Sequence, residues 1–398
     1  MRIILALVLM ASTLGLLGGN NVNSRIVTAN NQFGFELFNR LHLQEQNENI
    51  FFSPLSIAFA LAMTYNGAAG DTSKAMAQTL KLNEMSLPEV NQASAELIKL
   101  LKSTDPKVTL AIANSLWARQ GMKFKEEFLT RNRNYFGAEI ATLNFADPAA
   151  KVTINNWVSN NTKGKIPSII GQINADMVLF LINAIYFKGQ WSKRFDEKLT
   201  RNQPFHLLSG GQKQTPMMSQ SGDFRYYRGD KFQAVSLPYG KGDTGLILFL
   251  PDKESSLKQL LKSFSFDNCE QWIKGFSEAP GDVKIPRFKL VYQKSLNETL
   301  KAMGMEVAFD SGRADFSGMR ELSDSHRLFI SEVKHKAVVE VNEEGTEAAA
   351  ATSVGISITS MRPPQQRFTF VADRPFLMAI RDQKTGAILF MGAVVDPQ

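Results

Sequence analysis

An α+β domain is the fold class this sequence predicts, and three observations carry that prediction. Apolar residues at helical spacing dominate the first half of the chain. Period-two and continuous apolar runs, bounded by glycine-containing turns, dominate the second half, and helices followed by antiparallel strands read as α+β. No Pro-, Gly- or Ser-rich linker and no internal repeat divides the 398 residues, so one large domain is expected. With 44% apolar residues, the chain can bury a large core without disulfides or metals.

The first segment has its own logic. Arg2, the apolar run Ile3 to Leu17 and the small residues Gly18 and Gly19 form the pattern of an export signal over residues 1–19. A membrane span takes about 20 apolar residues, and this run is shorter. Polar and charged residues between Asn20 and Thr28 follow it at once, which argues against a core helix. The expected product is a soluble, exported domain over 20–398. Phe33, Leu37, Phe38 and Leu41 then follow helical spacing. Ser53-Pro54 looks like a cap followed by proline at the first helical position, with Gly67 near the end. Pro88 to Leu101 and Ile154 to Thr162 also fit amphipathic helices.

Strands follow. Met177–Phe187 crowds apolar residues on both faces, as a buried central strand does, and Asn183 interrupts it. Ala234–Tyr239 and Gly245–Leu250 flank a glycine-rich turn, and Phe376–Arg381 and Ala387–Val395 flank Gln383-Lys384-Thr385-Gly386. In Phe329 to Val341, alternation puts Phe329, Val333, His335, Ala337, Val339 and Val341 on one face. Glu332, Lys334, Lys336 and Glu340 take the other face. His335 therefore points inward and needs polar partners, for which Asn183, Ser53 and Ser56 are candidates.

Catalytic and cofactor motifs fail. Gly240, Gly242 and Gly245 match the dinucleotide pattern G-x-G-x-x-G, but a strand follows where a phosphate-binding helix should start. No H-E-x-x-H, G-x-S-x-G or phosphate-loop signature occurs, and the four histidines supply metal sites and hydrolase triads poorly. Asp324-Ser325-His326 reads as a solvated loop. Cys269 is the single cysteine, so no internal disulfide forms. An enzyme reading lacks a site, and no cofactor, metal, nucleic-acid or membrane partner is expected. The net charge of +7 falls by one without Arg2, and the basic residues are scattered. Lys123, Lys125, Arg131 and Arg133 approach a cluster among Glu126 and Glu127. A solvated helical face explains them better than a polyanion site.

One segment stands out. From Thr346 the even positions run Thr346, Ala348, Ala350, Thr352, Val354, Ile356 and Ile358, while the odd ones, from Glu347, Ala349 and Ala351 to Thr359, are small or polar. That is a period-two strand pattern despite the helix propensity of the alanines. It stops at Arg362-Pro363-Pro364. Such a strand could slip between existing strands, with Gly345 supplying backbone freedom for a hinge.

These residues resemble the serpin family over nearly the whole mature chain. The likeness includes Asn49-Ile50-Phe51-Phe52-Ser53-Pro54-Leu55-Ser56-Ile57, Asn155-Asn156-Trp157-Val158 with Thr162-Lys163-Gly164-Lys165-Ile166, and Asn183 through Trp191. It continues through the hinge, Arg374-Pro375-Phe376 and Phe390-Met391-Gly392. The resemblance implies three β-sheets, about nine helices and a mobile reactive-centre loop over about 343–364. It implies a suicide inhibitor of serine-type proteases, with cysteine proteases as a second target class. The cleaved loop inserts into the main sheet and traps the covalent acyl-enzyme, a recognised mode of strand insertion. A monomer is expected. The small-residue hinge from Gly345 to Thr352 matches inhibitory members; a carrier or chaperone on the same scaffold is the alternative.

The resemblance further implies that Ser53, Ser56, Asn183 and His335 form a polar latch and that Trp191 sits where the loop enters the sheet. Glu343 shares parity with His335 and should point inward; Arg287 is one candidate cation for it. The register from Gly345 puts the reactive bond at Thr359-Ser360, with Met361-Arg362 as the alternative. Pro363 argues against cleavage after Arg362, because proline lacks an N–H and fixes its backbone. Elastase-, chymotrypsin- or subtilisin-like targets are therefore expected.

Overall fold

The computed structural model describes residues 24–102, 105–174, 177–320, 327–346 and 366–397. Helix Ser24–Gln44 buries Phe33, Leu37, Phe38 and Leu41 completely, as their spacing predicts. Ser53 caps helix Pro54–Tyr65, its Oγ accepting from the Ser56 N–H at 3.1 Å, and Pro54 takes the first position. Only Tyr65 in this helix escapes full burial, so it runs through the core rather than along the surface. Helices Leu87–Leu101 and Pro148–Asn161 begin one and six residues before the sequence-based bounds.

Strand Val108–Arg119 was hidden in a first half that reads as helical. Val108, Thr109, Ile112 and Trp117 favour a strand, but the interleaved alanines and Asn114 blur that preference. Pairing decides it: the strand lies antiparallel to Leu179–Gln190 from Val108/Gly189 to Ala118/Leu179. The latter strand starts two residues later than its apolar run and extends to Gln190. Strand Glu332–Val341 pairs parallel with it from Glu332/Phe180 to Val338/Tyr186. Phe329 lies ahead of that strand and is half-buried. Phe288–Ser295 and Glu139–Leu143 complete the edges of a six-stranded sheet.

Both faces of this sheet are covered. Leu181, Ile185, Phe187, Val333, Ala337 and Val339 join the main core with helix Pro54–Tyr65. On the other face, Ala113, Trp117, Phe180, Ile182, Ala184 and Val338 meet Ile154, Val158, Ile166 and Ile169 in a second core. Helix Pro148–Asn161 and the segment after it therefore form a lid over the sheet.

The other strands form one nine-stranded network. Strand Gln212–Gly229 holds it together. Arg201–His206 pairs with its first part, Ser277–Pro286 with residues 217–226, and Phe232–Tyr239 with its last five residues. Two of the three sheets implied by the resemblance thus run into each other through one long strand. Both expected hairpins form, Phe232–Tyr239 with Thr244–Pro251 and Phe376–Asp382 with Ile388–Val394. Gly240 and Gly242 take φ of 53° and 94° in the first turn, so the dinucleotide-like glycines serve chain reversal. Nine α-helices occur among the described residues.

Candidate functional site

The seam between Leu179–Gln190 and Glu332–Val341 is the centre of the site. These strands are far apart in sequence and parallel, so a strand running the other way could pair with both. Gly345–Thr346 does this at the upper end. It is antiparallel to both, with Gly345 opposite Gln190 and Thr346 opposite Gly189 and Val341. Gly345 has φ 153°, and a Cβ there would lie 2.0 Å from the Gly189 carbonyl oxygen, so only glycine fits. Thr346 is fully buried, its Oγ1 2.6 Å from the Tyr239 hydroxyl. Burial drives the Tyr239 hydroxyl well above its ordinary pKa, so it stays protonated.

A turn at Asn342–Gly345 brings the chain to this point and is clasped from several sides. Trp191 Nε1 donates to the Asn342 carbonyl at 2.8 Å. The Trp191 N–H donates to Glu344 O and the Phe195 N–H to Glu343 O, both at 2.9 Å. Trp191 stacks on Tyr239 with ring centres 4.4 Å apart. Glu343 and Arg287 meet: Nε donates to Oε2 at 3.1 Å and a terminal nitrogen to Oε1 at 2.5 Å. The Thr200 hydroxyl donates to the same Oε1 at 2.6 Å. Burial would raise the Glu343 carboxyl pKa, but the hydrogen bonds from Arg287 and Thr200 hold it below its usual value.

Lower down, one row of polar side chains crosses the sheet. The register aligns Asn114, Asn183 and His335 on three adjacent strands. His335 Nδ1 lies 2.5 Å from Asn183 Oδ1, and the Ser53 N–H points at Nε2 from 3.4 Å. An N–H facing Nε2 requires a lone pair there, so Nδ1 carries the proton. The His335 pKa is pushed down to about 3 by burial, which keeps the ring neutral. Asn183 Nδ2 donates towards Ser56 O at 2.9 Å, Ser56 Oγ at 2.5 Å and Asn114 Oδ1 at 2.5 Å. The His335–Asn183 bond spans the seam, and Ser53 and Ser56 anchor it to the core helix beneath.

Asn114, Thr200, Tyr239 and Asn342 belong to this constellation and were missed as site residues in the sequence. Asn114 did leave a signal, a lone amide in an apolar run, as Asn183 is in its own. Residues Glu347 to Thr352, Thr359, Ser360, Met361 and Arg362 lie outside the described residues, as do segment 1–19 and His326. Arg131 pairs with Glu127 one helical turn away and donates to the Asn66 carbonyl, which fits a solvated helix face. No group of three metal-ligating side chains occurs among the described residues, and no described helix is long and apolar enough to cross a membrane.

A protein-family model described as Serpin (serine protease inhibitor) matches residues 28–397. Leukocyte elastase inhibitor A of Rattus norvegicus is 37% identical over 385 residues, covering 94% of this chain and 100% of the relative. The native state of tengpin, a thermophilic serpin, superposes with TM-score 0.88 at 31% identity, over 94% of this chain and 95% of its own. Human thyroxine-binding globulin in complex with thyroxine superposes with TM-score 0.86 at 28% identity, over 94% of this chain and 99% of its own.

Proposed function

This chain belongs to the serpin family, and on that premise we propose that it is a single-use inhibitor of serine proteases, exported under the direction of residues 1–19. The observation that carries the reading is the position of Gly345–Thr346, already hydrogen-bonded between the two parallel central strands. A protease serine attacks the Thr359 carbonyl, forms an ester to it and releases the Ser360 amine. The freed strand then extends the pairing begun at Gly345, past Glu347 and through the small side chains of Ala348 to Thr352. It replaces one parallel ladder by two antiparallel ones. The protease, tied to Thr359, is carried along before water can hydrolyse the ester. A cysteine protease would be trapped the same way through a thioester.

Thr359 suits a shallow apolar specificity pocket, which favours elastase-like or broad subtilisin-like targets. Resemblance to a leukocyte elastase inhibitor supports the same class. Met361-Arg362 is the second bond, and Pro363 weighs against trypsin-like cleavage there. Likeness to a thyroxine-binding globulin favours a second reading, a carrier on the same scaffold.

A protease panel separates the two. With an elastase-like enzyme, a complex should survive a denaturing gel, and the released C-terminal peptide should begin at Ser360. A peptide beginning at Pro363 with tight trapping of trypsin would move the reactive bond. Cleavage by every protease without any stable complex would leave the carrier reading.

A further inference from the structure

A lysine-lined groove runs across the upper front of the six-stranded sheet, apart from the loop and the latch. One part, about 350 Å³, is lined by Lys107, Lys163, Lys165 and Lys188. An adjoining part of about 260 Å³ shares Lys165 and Tyr186 and adds Lys289 and Lys336. The only carboxylate lining either part is Glu340, which Lys289 neutralises at 3.2 Å. No carboxylate among the described residues pairs with Lys107, Lys163 or Lys188. Asp105 stands nearby, but its two oxygens accept the backbone N–H groups of Lys107 and Lys241.

The origin of these lysines matters. Lys188 belongs to the half of the sheet that ends at Leu179–Gln190, and the carbonyl of Lys107, just ahead of strand Val108–Arg119, accepts from the Gln190 N–H at 3.0 Å at its edge. Lys336 and Lys289 belong to the other half, beyond the seam. Tyr186, shared by both parts of the groove, pairs with Val338 at the top rung of the parallel seam. Lys163 and Lys165 come from the lid segment after helix Pro148–Asn161, where Lys163 takes φ 54°. That left-handed residue ends the helix, with the Gly164 N–H donating back to the Ser159 carbonyl at 2.8 Å.

We propose that this groove binds a compact multivalent oxyanion, carrying several phosphate or sulfate groups, which ties the two halves of the sheet and the lid together across the closed seam. Lysine ammonium groups act as mobile point charges that suit such groups. The Tyr186 ring is buried and offers no platform for a stacked base, which argues against a single-stranded nucleic acid. An occupied groove holds Lys188 and Lys336 to one ligand, so separating their strands must break those contacts. Slower loop insertion is the consequence for inhibition, and that consequence rests on the function proposed above. The site and the clamp are testable without a protease.

Inorganic tripolyphosphate is titrated calorimetrically into the full chain at low salt, with sucrose octasulfate as a parallel arm to separate phosphate from sulfate preference. The variant carries Lys107→Gln, Lys163→Gln and Lys188→Gln, all at side chains that anchor nothing in the core. Binding should weaken at least 10-fold in this variant, fade with added salt, and persist in a Lys123→Gln, Lys125→Gln control. Equal affinity of variant and wild type for both anions, or no binding of either, would overturn the site. For the clamp, hydrogen exchange of the amides from Glu332 to Val338 should slow at least 3-fold on tripolyphosphate binding in the wild type alone. Binding without that slowing would overturn the clamp.

Discussion

His335 sits between a hydrogen-bond donor and an acceptor that together admit one tautomer, and among the described residues no acceptor faces Nε2 to receive a second proton. Its folded-state pKa of about 3 lies below the value near 6.5 of a solvated histidine. Between these values the unfolded chain binds a proton that the native state refuses, so stability falls as pH falls. The contribution of His335 is complete above about pH 6.5 and is lost progressively towards about pH 3. His42, half-buried and also shifted down, adds a smaller slope of the same sign. His335→Gln should destabilise the native state by about 1–3 kcal/mol at neutral pH, because Asn183 and Ser53 lose their partner. The gap in melting temperature between wild type and variant should narrow from pH 7.5 to 5. A gap that stays constant would exclude a buried neutral imidazole.

At the scale of the element, the hinge is a strand that has begun but not finished. Thr346 is fully buried against Tyr239, so the first even-numbered position faces inward, as the period-two pattern predicts. Thr346→Arg would force a guanidinium into that space at a cost of several kcal/mol. The variant should be cleaved at a normal rate yet leave no denaturation-resistant complex. Trapping at wild-type stoichiometry would contradict insertion through the seam. The turn before the hinge depends on a different contact. The Glu343 side chain is 5% exposed and that of Arg287 47% exposed, so the carboxylate is the member that suffers when the pair is broken. Arg287→Ala should leave Glu343 with Thr200 alone, raise its pKa and loosen the clasp by about 1–3 kcal/mol. Inhibitory activity should then decay several-fold faster on warming, with Arg287→Lys restoring much of it. An unchanged half-life would mean that Trp191 and the backbone bonds hold the turn unaided.

For the whole molecule, a closed parallel seam with a strand poised above it implies a native state held by a barrier. Insertion would add backbone pairing on both sides of the new strand and bury its even-numbered side chains, so the inserted form should lie lower in free energy. Cleavage within the loop by a protease that is not trapped should therefore raise the melting temperature by tens of degrees. A cleaved chain that melts where the intact one does would favour the carrier reading, because a carrier has no need of that reserve.

Much of this was legible in the sequence because it depends on local physics. Ser53-Pro54 makes a helix start wherever it lies, the alternation around His335 fixes which way that ring points, and the two glycine-rich turns reverse the chain in place. The inward direction of Glu343 followed from parity alone. Strand Val108–Arg119 was not read from the sequence, since its alanines and Asn114 dilute the strand preference of Val108, Thr109, Ile112 and Trp117, and eleven rungs of pairing with Leu179–Gln190 define it. Asn114 was lost with it. Tyr239 and Thr200 gave no sign of their roles, because the residues they touch, Thr346 and Glu343, lie more than a hundred positions away. The lysines of the groove look like scattered surface charge in one dimension and converge only when lid and sheet are stacked. The sequence by itself determined the strongly periodic segments, namely the strands around Asn183 and His335, the two hairpins and the capped helices, and which of their side chains must turn inward. Tertiary structure alone decided which strands became neighbours, and so where the seam runs, because pairing between distant segments is set by the shared core they bury and leaves no periodic trace in either one.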